Sequence, residues 1–254
     1  MSAPLSGRLA LVTGAGGAIG SAVVRSLREQ GARVVGADLL GRPVGESSAP
    51  WEGEPVALDV RAKAQVTALV SAVAERAGAA VDTLVNVAGV VSFGSAQDLA
   101  EEEWDRVIAI NLKGSFLVAQ AVMPGMRRLG FGRIVNLGSV VGKNSGNARP
   151  WIDPAEQQRA SNVAYGISKA GIHSMTGFLA RELAGSGITV NAVAPGPIAT
   201  AMTTAFPPAL QALIPRGRMG TPDDVARAIS FLVQREADFI TGEVLDVNGG
   251  MWSD

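Results

Sequence analysis

The chain contains no cysteine and a single histidine, His173. The first absence excludes disulfides, thiolate metal sites and a cysteine nucleophile. The second excludes a histidine-built metal centre and argues against a Ser-His-Asp triad. No metal is expected. Charge of either sign is scarce too: 22 Lys+Arg against 23 Asp+Glu leave a formal net charge of −1. No basic surplus points to nucleic acid, and no acidic tail points to a basic partner. The N-terminus, MSAPLSGRLALVTGAGG, has no basic segment followed by a long apolar stretch and a cleavage site. No apolar run is read as long enough to span a bilayer. No internal repeat and no Gly/Ser-rich linker divides the chain. These absences lead to the expectation of a cytoplasmic protein without membrane or nucleic-acid partners, with residues 1–254 forming a single domain.

Hydrophobic residues make up 47% of the 254 and charged ones 18%, enough to bury a sizeable core. Short β-branched runs alternate with helical patterns. Leu9–Thr13, Arg33–Asp38, Pro55–Val60, Thr83–Val87, Arg133–Leu137, Thr189–Ala194 and Val244–Val247 read as strands. Most are apolar throughout, as strands buried on both faces of a parallel sheet are. Helical patterns fall near 19–30, 62–77, 101–129, 165–184 and 222–234. Gly31 fits the end of the first, and Thr221-Pro222-Asp223-Asp224 reads as a capped helix start. The alternation predicts an α/β fold, a doubly wound parallel seven-stranded sheet of Rossmann-like form. Two segments break the rhythm, about 140–164 and 195–220, the first polar and the second proline-rich. Both begin where strands end, so both are candidate walls of a pocket.

The first strand runs into Thr13-Gly14-Ala15-Gly16-Gly17-Ala18-Ile19-Gly20 and then a helix. Glycines there permit a tight turn and let backbone N–H groups approach a pyrophosphate at the helix N-terminus. Asp38 ends the second strand, 18 residues past Gly20. A carboxylate at that place accepts the adenosine ribose hydroxyls and repels a 2′-phosphate, which favours NAD over NADP. Asp59 closes the third strand and is a candidate acceptor from the adenine amino group. Asn86-Val87-Ala88-Gly89 ends the fourth with small residues where the adenosine half would lie.

Tyr165 and Lys169 are four apart at the start of a helical pattern, so they share a face. A phenol of pKa about 10 is a poor base at neutral pH, and a nearby ammonium is expected to lower that value. Such a pair moves a proton to or from an alcohol oxygen as a hydride moves. Tyr165 is the only tyrosine. Ser139 ends the fifth strand, at the same sheet edge, where its hydroxyl can donate to a developing alkoxide. Asn111 falls mid-way through a helical stretch, where asparagine is a poor former; a kink there could hold a water beside Lys169.

Taken together, Thr13–Gly20, Asp59-Val60, Asn86–Gly89, Asn111, Ser139, Tyr165–Lys169, Asn191–Thr200 and Phe239–Gly250 resemble the short-chain dehydrogenase/reductase family, in its subfamily of about this length, over nearly the whole chain. The resemblance implies an Asn111-Ser139-Tyr165-Lys169 tetrad. In it Tyr165 is the acid/base and Ser139 orients the substrate oxygen. Lys169 binds the nicotinamide ribose, and Asn111 holds a relay water. It also implies cofactor contacts from the glycine turn (Gly14, Gly17, Ala18, Ile19, Gly20), from Val60, Asn86, Ala88 and Gly89, and from Pro195, Gly196, Ile198 and Thr200. A homodimer or homotetramer is implied, through helices of the 101–129 and 165–184 type and the last strand.

Three departures stand out. Ala18 replaces the second motif glycine, Val87 replaces an asparagine, and Tyr165 lies 26 residues after Ser139, about twice the family's gap. Gly14, Gly17 and Gly20 also fit the glycine spacing of the family's longer members, which the chain length and the C-terminal GEVLDVNGG argue against. In the extra residues, Arg149, Trp151, Asp153, Glu156, Gln157 and Arg159 are candidates for the substrate entrance or for plain surface. Met202, Phe206, Leu210 and Leu213 suggest a partly apolar lid. His173 is read as a packing or interface residue. The expected activity is an NAD-dependent oxidoreductase acting on a small-molecule secondary alcohol or ketone. The alternatives are an NADP-dependent 3-oxoacyl-thioester reductase and a non-catalytic dinucleotide sensor.

Overall fold

A computed structural model describes residues 3–40, 55–146, 158–200 and 211–253. Seven strands form one sheet: β1 (Leu9–Thr13), β2 (Arg33–Asp38), β3 (Val56–Ala57), β4 (Thr83–Asn86), β5 (Gly132–Leu137), β6 (Ile188–Pro195) and β7 (Val244–Val247). Their order is β3-β2-β1-β4-β5-β6-β7, every neighbouring pair parallel. The order reverses between β1 and β4, and ligands of such sheets bind outside the strand ends at that switch.

Alternation along the strands feeds two cores. Leu9 and Leu11 of β1 face α2 (Lys63–Ala77), α4 (Ser115–Leu129) and α6 (Val163–Leu183), with Val66, Leu69, Val118, Val122 and Leu183. Ala10 and Val12 face α1 (Ala18–Glu29) and α7 (Pro222–Leu232), with Val23, Leu27, Val225 and Ile229. Each fully buried side chain of this size contributes about 1.5–3 kcal/mol, which holds the helices on the sheet. The apolar strand runs are thus explained by burial on both faces.

Helix ends follow local chemistry. Thr221 caps α7 in a reciprocal box with Asp224, with Pro222 at the first position. After α1, Gly31 takes φ +92° and its N–H returns to the Arg28 carbonyl. The expected helix 101–129 is three pieces: α3 (Glu101–Ile108), a π-helical turn (Ala109–Gly114) and α4. The expected kink at Asn111 is this turn. By length and composition the run Glu101–Leu129 is apolar enough to cross a membrane, with a window of mean hydropathy 1.4, contrary to the expectation from sequence. In the fold Val118, Val122 and Met126 press on the sheet, so its apolarity is a core-facing stripe.

Two further differences concern boundaries. The expected strand 55–60 is paired only at Val56 and Ala57. Past Leu58 the Asp59 carboxylate accepts the Arg61 backbone N–H at 2.9 Å and turns the chain into α2. A short helix, α5 (Val141–Asn144), stands at the start of the segment expected to be loop. Arg149, Trp151, Asp153, Glu156, Gln157, Met202, Phe206 and Leu210 lie outside the described residues.

Candidate active site

The glycine turn is built by close approach. Gly14 has φ +67°, and a Cβ there would lie 2.6 Å from the Ala88 nitrogen. A Cβ on Gly20 would lie 2.0 Å from the Gly14 carbonyl oxygen, so the helix can start this near the strand only with glycine. No side chain caps α1 at Gly17. Its first N–H groups are therefore left to a ligand, and an anion is what a helix N-terminus with orphan donors takes.

A cleft of about 710 Å³ runs from this turn across the strand ends. Gly14, Gly17, Ala18, Ile19 and Gly20 line it, as do Asp38, Asp59 and Val60. Ala88 and Gly89 line it further along, with Tyr165, Lys169 and Thr200. Residues from four strand ends and α6 are thus brought to one groove, long enough in its lining to suit a dinucleotide. Gly89 lies close against the Asn111 amide: a Cβ there would lie 3.3 Å from Oδ1 and in ordinary contact with Lys169 Nζ at 3.6 Å.

Lys169 is 4% exposed. Its Nζ donates to the Leu137 carbonyl at 2.7 Å, tying α6 to the end of β5. Burial pushes its pKa down to about 8. Nζ stands 5.8 Å from the centre of the Tyr165 ring. Burial also pushes the Tyr165 phenol up, while its hydrogen bond with the Ser139 side chain pulls it the other way. This corrects the expectation of a phenol lowered by the ammonium: desolvation of the phenolate outweighs its hydrogen bond, and Lys169 is not among the causes of the shift. Asn162 caps α6, its Oδ1 accepting the Tyr165 backbone N–H at 3.2 Å, which places Tyr165 in the first turn.

Asn111 sits behind these groups. Its Oδ1 accepts the Val90 N–H at 2.8 Å, and its Nδ2 donates to the Val90 carbonyl and to Ser168 Oγ, both at 2.9 Å. Both amide hydrogens are spent, so this side chain braces the Gly89–Val90 loop and the π turn against α6.

Other expected residues take different places. Asp38 uses one carboxylate oxygen to accept the Gly16 N–H at 3.0 Å. Asp59 is in a fork with Arg61 at the cleft wall, at 2.7 Å between Nη2 and Oδ2, so both its oxygens are engaged by a guanidinium. Asn86 is buried and donates to the Ser115 carbonyl and Asn136 Oδ1; it stands behind the cleft. Pro195 and Gly196 are also absent from the lining. The Pro195 carbonyl accepts from Val140, and the Gly196 N–H donates to Val247. Ile198 is buried in the core on the α1/α7 face. Arg61, Arg106 and Ile110 line the cleft and were not anticipated. Arg61 is legible two residues after Asp59; Arg106 and Ile110 share a helix face but carry no motif.

The sequence matches the family described as Enoyl-(Acyl carrier protein) reductase over residues 14–252. It is 39% identical to 3-oxoacyl-[acyl-carrier-protein] reductase FabG of Vibrio cholerae, covering 98% of each chain. It is 38% identical to the FabG of Thermotoga maritima, over 97% of this chain and 98% of that one. It is 37% identical to (3R)-3-hydroxyacyl-CoA dehydrogenase of Mus musculus, over 98% and 97%. The crystal structure of gox2181 superposes with TM-score 0.85 at 36% identity, covering 98% of this chain and 97% of that one.

Proposed function

The chain belongs to the short-chain dehydrogenase/reductase family of oxidoreductases acting on the alcohol/ketone couple, and from that premise we propose that it works with NAD(H), with Tyr165 as its acid/base. One observation carries the reading. The Tyr165 phenol, hydrogen-bonded to Ser139 and beside the Lys169 ammonium, opens on the same cleft as the uncapped glycine turn.

The dinucleotide, when bound, supplies or accepts the hydride. The chain's own residues handle the proton and the charge. Burial keeps the phenol protonated at neutral pH, ready to donate to a ketone oxygen. Ser139 holds that oxygen through its hydroxyl. Lys169, with a pKa of about 8, is still largely an ammonium at neutral pH and lines the cleft, where it suits a hydroxyl of the cofactor's ribose. The free N–H groups of α1 suit the pyrophosphate. Asp38 supports NAD: it stands in the cleft wall at the end of β2, with one oxygen on the loop and the other for a ribose hydroxyl. Positions 15–18 hold no basic side chain, and Arg61 is locked by Asp59.

The second reading is an NADP-linked 3-oxoacyl-thioester reductase. The names of the relatives favour its substrate class, since they describe the 3-oxo and 3-hydroxy ends of one interconversion. Initial rates with NADH and NADPH over 3-oxoacyl thioesters, cyclic ketones, sugars and sterols separate the two. A clear NADPH preference overturns the cofactor assignment. Tyr165→Phe is expected to keep NADH binding and lose about 10²–10⁴-fold in kcat; an active variant overturns the site.

Homo-oligomer formation is also proposed. The exposed side of α6 carries Val163, Ile167 and Phe178, the last 75% exposed, and α4 exposes Phe116. An apolar strip of this kind suits a second copy of the chain.

A further inference from the structure

The only imidazole of the chain stands against the residue that would orient the substrate oxygen. His173 lies one helical turn past Lys169 on α6. Its Nε2 accepts the backbone N–H of Ser139 at 3.4 Å. The flanking N–H groups of Gly138 and Val140 go to the carbonyls of Val193 and Pro195 on β6. Ser139, past the end of β5, turns its own N–H away from β6 to the ring. A bond of that length is weak by itself, and packing supplies the rest. A Cβ on Gly138 would lie 2.3 Å from Nε2, and one on Gly142 would lie 2.9 Å from Cε1. The imidazole therefore fills a slot left by two glycines, one on each side of Ser139. Together with the Lys169–Leu137 bond, it pins residues 137–139 to the helix that carries Tyr165 at two points.

We propose that His173 is a positioning residue for Ser139: its Nε2 lone pair and its ring, wedged between Gly138 and Gly142, hold the Ser139 hydroxyl in register with the Tyr165 phenol. This rests on the reading of Ser139 and Tyr165 given above. The arrangement demands a ring with its proton on Nδ1, because an Nε2–H would point at the Ser139 N–H. It assigns a task to a side chain that the sequence alone marks as a packing or interface residue.

Two measurements test it on the intact, untagged protein. The first does not depend on activity. With isotopic nitrogen in histidine, a single pair of ring resonances is seen, and the expected tautomer at neutral pH carries its proton on Nδ1 alone. A proton on Nε2 overturns the proposal even if the enzyme assignment stands. The second is kinetic, with whichever ketone the panel identifies. His173→Leu, which keeps bulk and loses the acceptor, is expected to lower kcat at least about tenfold with KM for NADH unchanged. His173→Gln, whose amide oxygen reaches the place of Nε2, is expected to restore most of the loss. An undiminished kcat in the leucine variant overturns the proposal. So does an equal loss in both variants with a matching drop in NADH binding and thermal stability. If no ketone is turned over while the tautomer is as expected, the reading of the activity has failed and the placement of Ser139 has not.

Discussion

At the scale of single residues, close approach and desolvation decide what each position does. Gly20→Ala puts a methyl 2.0 Å from a backbone oxygen that has no freedom to move. The expected result is loss of NADH binding in a nicotinamide-fluorescence titration, together with reduced stability. At Asp38 the carboxylate accepts the Gly16 N–H and lines the cleft. Asp38→Ala is expected to raise KM for NADH about 10- to 100-fold, as for a lost charged hydrogen bond, and to narrow the NADH/NADPH ratio. Lys169 gives a pH prediction. Its folded pKa, about 8, is below the value for a solvated lysine, so the folded state holds its proton less well than the unfolded one. The cost of burying the ammonium is fully present below about pH 8 and is relieved as pH rises towards 10.5. Urea unfolding at pH 7 and 9.5 should therefore show wild type gaining stability relative to Lys169→Met. A constant gap between the two counts against it.

At the scale of elements, caps and turns set where each piece begins. Thr221→Ala removes one half of the box that starts α7. It is expected to cost about 0.5–2 kcal/mol in chemical denaturation, with no change in kcat. The start of this helix was legible, because Thr-Pro-Asp-Asp writes it in local chemistry, while its end falls at Leu232, two residues before the expected one. The strands β1, β2 and β7 were equally legible from short runs rich in β-branched and other apolar residues. The third strand was not: its apolar pattern continues to Val60, but the Asp59–Arg61 fork turns the chain after Leu58. The helix α5 is too short to show a period, and its Gly142 is required by close approach to the α6 backbone at Lys169 and Ala170 and to the ring of His173. The π turn was visible only as a misplaced asparagine; the Val90 backbone and Ser168 Oγ that justify it come from elements far away in sequence.

At the scale of the whole molecule, two cores hold the helices on the sheet, and Val163, Ile167 and Phe178 on α6 are among the large apolar side chains left exposed. Phe178→Glu is expected to lower the mass seen in solution by light scattering while leaving the far-ultraviolet circular dichroism unchanged. An unaltered mass removes α6 from the interface.

The sequence by itself determined the order of strands and helices, the glycine turn, and the residue types at the strand ends, because these depend on period, burial and local backbone geometry. Only the tertiary structure decided which of those residues face the cleft. Asp59 is taken by Arg61, Asn86 and Asn111 by buried backbone and side-chain partners, and Ser139 is held by His173. A side chain's partners across the sheet are set by packing between distant segments, and a linear pattern records the donor or acceptor without recording what satisfies it.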